Sequence, residues 1–313
     1  MQKALESGGK RRALLIAGPT ASGKSALALR LAELLPSSVI INADAMQVYR
    51  DLRIVTARPT AEEEMQAPHK LYGTRDGAIS SSAAVWLEDV RAALAETECA
   101  VPIFVGGTGL YFRALTEGLS PIPDVPDAVR EDVRGRISRD GSAALHQELD
   151  QEMSDRLSPT DSQRVARALE VFKATGRSLA TWQEQPGVGA LIDPAKAECV
   201  VLTPDRNWLE TRIRARAVIM LERPALDEVR LLMERGLSPD LPVMRAIGVS
   251  VLGAYLKGEM DRAQALDALT VQTRRYAKRQ DTWFRGQMPS WKRLDPQAAS
   301  VDELAAQILG ETL

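Results

Sequence analysis

The stretch from Ala13 to Ser25 reads Ala-Leu-Leu-Ile-Ala-Gly-Pro-Thr-Ala-Ser-Gly-Lys-Ser, and it decides the fold. Its apolar residues Leu14 to Ala17 predict a short strand buried in a parallel sheet. The following residues, Gly18 to Ser25, fit the phosphate-loop pattern G-x-x-x-x-G-K-[ST]. Ala26 to Leu35 then predict a helix, because most of these residues are strong helix formers. Strand, glycine loop and helix in this order indicate an anion site at the start of the helix.

This loop has the chemistry of a site for a diphosphate or a longer polyphosphate. Backbone N–H groups of the loop and of the helix start face an anionic ligand. Lys24 adds a positive charge, and the Ser25 hydroxyl can hold Mg²⁺ on a phosphate oxygen. The pattern does not tell which phosphate compound binds. The predicted diphosphate-binding residues are Gly18, Thr20, Ala21, Ser22, Gly23, Lys24 and Ser25.

Composition is that of an ordinary globular chain, and the length is enough for two or more domains. The chain has 313 residues, of which 45% are hydrophobic and 26% charged, with a net charge of −2. Its two cysteines, Cys99 and Cys199, lie far apart, which favours a reducing cytoplasm over a disulfide framework. No apolar run approaches the ~20 residues that span a bilayer, so no membrane association is expected.

Two further strands are predicted to end in functional residues. Ser38 to Ile41 lead into Asp44, and Val101 to Val105 lead into the turn Gly106-Gly-Thr-Gly109. Doubly wound sheets bind ligands at the carboxyl ends of their strands. A carboxylate there can bind Mg²⁺ or accept a proton, although Asp44 also fits a helix N-cap. The glycine turn brings Thr108 toward the same edge, although an ordinary tight turn explains it equally well.

The pattern predicts an α/β fold: a P-loop-type parallel sheet flanked by helices, with an inserted helical domain. Three prolines within residues 118–126 indicate a linker. Three helices are expected beyond it, at 128–138, 143–153 and 163–175, and Ala197 to Leu202 predict a strand that returns to the sheet. The expected domains are a first core part at 1–117, an insertion at 118–196 and a second core part at 197–313.

Two basic segments follow in the second core part. Asn207 to Met220 predict a helix in which Arg212 and Arg216 share a face. Either arginine could clamp a diphosphate, but periodicity alone favours salt bridges at the surface. Residues 271–293 hold seven cations against one acid, interleaved with Tyr276, Trp283, Phe284 and Trp291. That composition is typical of an RNA contact, and a basic helix against an acidic partner is the alternative.

Taken together, these segments resemble the tRNA dimethylallyltransferase family in its bacterial form. The resemblance runs nearly end to end, and the set of motifs in this order is specific. The matching motifs are Gly18-Pro-Thr-Ala-Ser-Gly-Lys-Ser25, Asp44-Ala-Met-Gln-Val-Tyr49, Val105-Gly-Gly-Thr-Gly-Leu-Tyr111, Leu169-Glu-Val-Phe-Lys-Ala-Thr-Gly176, Arg245-Ala-Ile-Gly-Val and Lys278-Arg-Gln-Asp-Thr-Trp283. The resemblance implies transfer of a dimethylallyl group from dimethylallyl diphosphate to N6 of adenosine 37, in tRNAs that read codons beginning with U.

The resemblance also implies roles for matched positions. Asp44 would be the general base, Thr108 would line the channel where amine and isoprenoid meet, and Arg216 and Arg130 would complete the catalytic set. Mg²⁺ is the implied cofactor, near Ser25. The inserted domain would grip the tRNA anticodon stem-loop, and a monomer is expected. The implied tRNA contacts are Asp44, Ala45, Met46, Gln47, Gln163, Arg164, Arg167, Arg245, Lys278, Arg279, Gln280, Trp283 and Arg285.

The chain departs from the family pattern at three places, and two other functions compete. Ala45 replaces the usual serine after the aspartate, Val55 replaces a glycine, and Val249-Ser250 replace an aromatic and a cation. The first rival is a small-molecule kinase that uses ATP at the same loop, but it does not explain residues 271–293. The second is an RNA-binding NTPase, which leaves Thr108 and its glycine turn without a role.

Overall fold

The fold is built on a single parallel sheet. The computed structural model describes residues 13–97 and 101–310. Within those ranges, six strands form one sheet in the order β3-β2-β4-β1-β5-β6, and every neighbouring pair is parallel. The strands are β1 (Ala13–Ala17), β2 (Ser38–Asn42), β3 (His69–Lys70), β4 (Val101–Gly106), β5 (Ala197–Leu202) and β6 (Lys292–Leu294). This confirms the predicted α/β class, to which the structure adds the short edge strands β3 and β6.

The strand order brings three functional segments to one edge of the sheet. Strand β4 lies between β1 and β2, with Ala17 opposite Gly106 and Asn42 opposite Val105. Because all three strands are parallel, their carboxyl ends meet at the same edge. The phosphate loop, the glycine turn and the segment that begins at Asp44 therefore start side by side.

Helices occupy most of the remaining chain. They are α1 (Lys24–Leu34), α2 (Ala61–Gln66), α3 (Ala83–Glu96), α4 (Gly109–Glu117), α5 (Asp127–Asp140), α6 (Ser142–His146), α7 (Gln151–Arg156), α8 (Ser162–Thr175), α9 (Leu179–Gln183), α10 (Arg206–Met220), α11 (Arg223–Glu234), α12 (Val249–Leu256), α13 (Arg262–Gln287) and α14 (Val301–Leu309). Short 3-10 helices cover Pro194–Lys196 and Pro242–Arg245. None of the described helices is long and apolar enough to cross a membrane.

The chain divides into two compact units. One contains the residues up to Thr116 and those from Leu191 onward, and the other is Glu117–Ala190. The predicted insertion, 118–196, therefore ends too late. The reason is local, because the N–H of Leu191 donates to the carbonyl of Leu115 at 2.9 Å and ties this segment to the sheet-containing unit.

Buried apolar side chains of the larger unit fix its helices against the sheet. Leu14, Ile16, Leu27 and Leu31 belong to one cluster with residues of α14. Elsewhere in this unit, the Phe112 ring contacts those of Phe284 and Trp291 edge-on, with ring centroids 6.4 and 5.5 Å apart. Both Phe284 and Trp291 are buried and belong to the core, so their rings are not available for the RNA contact that the composition of residues 271–293 predicts. Cys199 is a free thiol in β5, and Cys99 lies outside the described residues.

The smaller unit holds α5 to α9. Two of its predicted helices are present as α5 and α8, and Gly176 ends α8 in the left-handed region at φ 69°. The predicted helix at 143–153 is instead two short helices, α6 and α7. Asp150 separates them, because its carboxylate caps α7 by accepting a hydrogen bond from the N–H of Met153 at 3.1 Å.

Candidate active site

The phosphate loop leaves the start of α1 open to an anion. Gly18 has a φ of 152°, and a Cβ there would lie 3.0 Å from the carbonyl oxygen of Leu202. Gly23 precedes α1 in the left-handed region, at φ 94°, and no side chain caps the helix. The first turn of α1 contains no acidic residue either. Its free N–H groups and helix dipole therefore favour a negatively charged ligand.

The Lys24 side chain is held inside the phosphate loop by a backbone carbonyl of the same loop. The ammonium group donates to the carbonyl oxygen of Pro19 at 2.6 Å and lies 3.5 Å from Oγ of Ser22. Burial lowers the pKa of Lys24 from 10.5 to about 8, Asp44 opposes that shift, and Arg216 adds to it. A bound diphosphate would place negative charge beside this ammonium group and stabilise its protonated form.

Two arginines of α10 contact the phosphate loop. Arg216 donates from Nη1 to Oγ1 of Thr20 at 2.6 Å and from Nη2 to the carbonyl oxygen of Val55 at 3.0 Å. Arg212 donates from Nε to the carbonyl oxygen of Ala21 at 2.8 Å. Burial lowers the pKa of Arg216, and Asp44 opposes this shift. The prediction that these arginines form surface salt bridges is wrong, because both contact the phosphate loop.

Asp44 is positioned by a buried amide that sequence reasoning missed. Asn42, the last residue of β2, accepts from the N–H of Asp44 at 2.8 Å and donates to its carbonyl oxygen at 2.9 Å. One carboxylate oxygen of Asp44 accepts from the N–H of Met46 at 2.9 Å. No hydrogen bond to the other oxygen is found within the described residues. Asp44 therefore caps a turn and still presents an oxygen to a ligand.

The glycine turn places Thr108 directly beside the Asp44 segment. Oγ1 of Thr108 accepts from the N–H of Ala45 at 2.9 Å. Burial raises the pKa of the nearby Tyr276 phenol, and the Thr108 hydroxyl opposes this shift. A Cβ on Gly106 would lie 2.0 Å from the carbonyl oxygen of Ala43. Only glycine permits this approach, so the turn is specialised for the site.

Gln280 joins the two glycine loops from within the protein. Its Oε1 accepts from the N–H of Thr20 at 2.9 Å, and its Nε2 donates to the carbonyl oxygen of Gly107 at 2.9 Å. The side chain is only 6% exposed. The prediction that Gln280 contacts tRNA does not fit this position, because both polar atoms of its amide are already engaged. The structure shows a brace between the loops instead.

The phosphate loop, Asp44 and the two arginines of α10 line one open cavity of about 470 Å³, whereas Asn42, Thr108 and Gln280 are not part of its lining. Small-molecule sites typically have volumes of this order. Lys24, Asp44 and Arg216 all line the cavity, so two of its cations and one of its carboxylates face the same space. The other lining residues are Thr20, Ala21, Ser22, Gly23, Ser25, Ala26, Gln47, Thr56, Ala57, Glu63, Val105, Gly106, Arg212, Ala215 and Ile219.

The predicted tRNA contacts of the larger unit differ in their availability. Lys278, Arg279 and Arg285 are exposed on α13, although Arg285 pairs with Asp281 at 3.0 Å. The Trp283 ring packs on Gly109, where a Cβ would lie 2.0 Å from Cε3. Their contact with tRNA stays a prediction.

The other predicted contacts of this unit lie around the turn after Asp44 and near α12. Ala45, Met46 and Gln47 are partly buried in that turn, and the Gln47 amide donates to the carbonyl oxygens of Thr56 and Ala57 at 2.9 and 2.8 Å. Arg245 is exposed and pairs with Asp240. Their contact with tRNA also stays a prediction.

The smaller unit presents the other predicted cations on its own surface. Gln163, Arg164 and Arg167 are exposed on α8, and Arg167 lies 3.8 Å from the buried carboxylate of Glu170. Arg130, on α5, pairs with Asp127 at 2.7 Å. The catalytic role of Arg130 and the tRNA contacts of α8 stay predictions.

Comparisons with known proteins find relatives over most of the chain. Residues 47–287 match the family model described as IPP transferase. Over 297 residues, the chain is 52% identical to a tRNA dimethylallyltransferase of Nitrobacter hamburgensis, covering 93% of each chain. It is 54% identical over 292 residues to the enzyme of that name from Beijerinckia indica, covering 92% of this chain and 96% of that one.

Solved structures show the same fold. The tRNA isopentenylpyrophosphate transferase of Bacillus halodurans is 32% identical and superposes with a TM-score of 0.67 over 96% of each chain. A eukaryotic dimethylallyltransferase acting on tRNA superposes with a TM-score of 0.76 over 97% of this chain and 81% of that one. At 24% identity, this second likeness concerns the fold alone.

Proposed function

The chain belongs to the IPP transferase family, and we propose that it transfers the dimethylallyl group of dimethylallyl diphosphate to N6 of adenosine 37 in tRNAs that read codons beginning with U. One observation carries the proposal. Lys24 and Arg216 line the same cavity as Asp44, and each interacts electrostatically with that carboxylate. The same cavity therefore contains cations that can stabilise a leaving anion and a carboxylate that can accept a proton.

The donor is proposed to bind by its diphosphate. The open start of α1 and the loop N–H groups favour the anion, and Lys24 and Arg216 supply charge. In the reaction, the bond from the allylic carbon to the bridging oxygen breaks, and its electron pair leaves with the diphosphate. The cationic groups stabilise that developing charge, which is where electrostatic catalysis contributes most.

The acceptor is proposed to be the exocyclic amine of adenosine. Its nitrogen forms the new bond to the allylic carbon and must then lose a proton. Asp44 is proposed to take that proton, since one of its oxygens holds the turn while the other has no partner among the described residues. Asn42 and Thr108 fix the segment around Asp44. The target base would have to leave the anticodon-loop stack to reach the cavity.

Mg²⁺ is proposed as the cofactor, held by Ser25 together with the donor phosphates. Ser25 is exposed and lines the cavity at the start of α1. Mg²⁺ typically keeps several waters and needs only one or two protein ligands beside substrate phosphates, so a single hydroxyl fits. When bound, the ion would neutralise charge on the diphosphate.

The proposed macromolecular partner is the anticodon stem-loop of tRNA. Exposed cations on α13 and α8 support it, because phosphate contacts dominate nucleic-acid affinity. A tRNA substrate also agrees with the cytoplasmic location that the cysteine content favours.

Donor binding separates this proposal from an ATP-using kinase or an RNA-binding NTPase at the same loop. Calorimetric titration should show dimethylallyl diphosphate binding to the parent protein, with affinity lost in Lys24→Ala. The exposed Lys257 provides a matched control, and Lys257→Ala should bind the donor as the parent does. Tight binding of ATP with no binding of dimethylallyl diphosphate would contradict the proposal.

A further inference from the structure

A carboxylate of α11 holds one wall of the donor cavity. Glu228 accepts hydrogen bonds from the N–H of Ile54, at 2.8 and 3.0 Å to its two oxygens, and from the N–H of Val55 at 3.1 Å. These residues are about 174 positions apart in sequence. Hydrogen bonds between an ionised carboxylate and backbone N–H groups are among the stronger ones in proteins. Glu228 therefore fixes the turn formed by Ile54 to Ala57.

The opposite side of this turn faces the diphosphate site. The carbonyl oxygen of Val55 accepts from Nη2 of Arg216 at 3.0 Å, and the same guanidinium donates from Nη1 to Thr20 at 2.6 Å. Because Nε of Arg216 is buried without a partner, these two contacts are the hydrogen bonds that orient it within the described part of the chain. A shift of the Val55 carbonyl would therefore rotate Arg216 away from the phosphate loop.

We propose that Glu228 is a positioning residue for the transfer reaction, which holds the Ile54–Ala57 turn so that the Val55 carbonyl aims Arg216 at the donor diphosphate. The proposal rests on the proposed function, since it assigns Arg216 to the donor. It adds a residue that has no predicted role and that does not line the cavity. The neighbouring carbonyls of Thr56 and Ala57 are fixed separately by Gln47, so the turn is held on both sides.

The test measures binding of inorganic pyrophosphate and of dimethylallyl diphosphate to full-length variants by calorimetry. Glu228→Ala should weaken both by about tenfold, the scale expected for losing hydrogen bonds to a charged group. Glu228→Gln should lie between Ala and the parent, because it retains one acceptor oxygen. Asp227→Asn is the matched control on the same helix. Its carboxylate pairs only with Arg223 and Arg230 among the described residues, so its affinities should equal those of the parent.

A double-mutant cycle separates positioning from a general loss of stability. Arg216→Lys keeps a charge but cannot make both contacts. If Glu228 acts through Arg216, Glu228→Ala should have almost no further effect on pyrophosphate affinity in the Arg216→Lys background. An equal loss in both backgrounds would overturn the proposal, as would a lower melting temperature with unchanged pyrophosphate affinity. If Glu228→Ala does not fold, Glu228→Gln takes its place in the cycle.

The outcomes also distinguish this inference from the proposed function. A parent protein that binds pyrophosphate but transfers no dimethylallyl group would contradict the proposed function. The cycle on pyrophosphate affinity would then still decide the role of Glu228, since it does not depend on turnover.

Discussion

The backbone N–H of Thr20 donates a hydrogen bond of 2.9 Å to the side chain of Gln280, and this contact joins the phosphate loop to α13. The side-chain amide of Gln280 in turn donates from Nε2 to the carbonyl oxygen of Gly107 at 2.9 Å. One buried side chain therefore couples the loop that is proposed to bind the donor with the turn that places Thr108.

Removing this amide should loosen both loops at once. Gln280→Met keeps most of the volume but leaves a buried N–H and a buried carbonyl unsatisfied, each at a cost of about 1–3 kcal/mol. We expect lower thermal stability and weaker binding of dimethylallyl diphosphate, with tRNA affinity nearly unchanged. Melting curves and calorimetric titrations provide the measurement.

Gln287→Met, at the exposed end of the same helix, is the control for this change and should resemble the parent. The opposite pattern for Gln280→Met, with tRNA affinity lost and donor affinity intact, would restore Gln280 as a direct RNA contact.

The contrast between Gln280 and its neighbours shows what the sequence could predict. Strand, loop and helix at 13–34 follow from local patterns, and the structure has them where they are predicted. Gln280 lies in a basic segment, and its composition favours a surface role. Only the placement of α13 beside the phosphate loop and the glycine turn directs this side chain inward. Phe284 and Trp291 are likewise buried by tertiary contacts, which the composition of the segment does not reveal.

The other omissions concern side chains whose hydrogen bonds the local pattern does not reveal. Asn42, which orients Asp44, is the last residue of a buried strand, and nothing in the local pattern indicates that its amide is functional. Glu228 reaches Ile54 across more than half the chain. In contrast, Asp150 is a recognisable N-cap within the helix predicted at 143–153, and such a cap indicates that a new helix begins after it.

Donor binding should couple to protonation of Lys24. In the folded protein the pKa of Lys24 is about 8, below its ordinary 10.5, because burial disfavours the ammonium form. A bound diphosphate favours that form and should raise the pKa. Above about pH 8, binding should therefore take up protons and weaken as pH increases. Calorimetry in buffers of different ionisation enthalpy measures this uptake.

The same shift has a consequence for stability. Between about pH 8 and pH 10.5 the unfolded chain holds the Lys24 proton while the folded chain does not, so this group makes the free energy of unfolding increase with pH.

Lys278→Ala, which removes an exposed ammonium group, is the control for proton uptake on donor binding and should retain it. Donor binding above pH 8 without proton uptake would show that Lys24 does not meet the diphosphate.

Exposed cations on α13 should determine the salt dependence of tRNA binding. Arg275 and Lys278 make no ion pair within the described part of the chain, so both can displace counterions from phosphates. Replacing either with Gln should reduce the slope of log affinity against log salt by about 0.7–0.9. Arg274 is the control, because its pairing with Glu210 at 2.9 Å already offsets its charge. Equal slopes for all three variants and the parent would contradict the assignment of this surface to RNA.

Asp44→Asn should separate binding from chemistry. Asn keeps the shape and can still accept from the N–H of Met46, but it cannot take a proton at neutral pH. The single-turnover rate should fall by ~10²-fold or more, with donor and tRNA dissociation constants within a few-fold of the parent. Loss of donor affinity instead would indicate that Asp44 binds a metal, and an unchanged rate would reduce it to a turn cap.

The most direct test of the central claim is mass spectrometry of tRNA after incubation with the parent protein, dimethylallyl diphosphate and Mg²⁺. The account predicts that tRNAs reading codons beginning with U gain the mass of one dimethylallyl group in place of a hydrogen, and that nuclease mapping places it on adenosine 37. Unmodified tRNA, together with ATP hydrolysis by the same preparation, would contradict it.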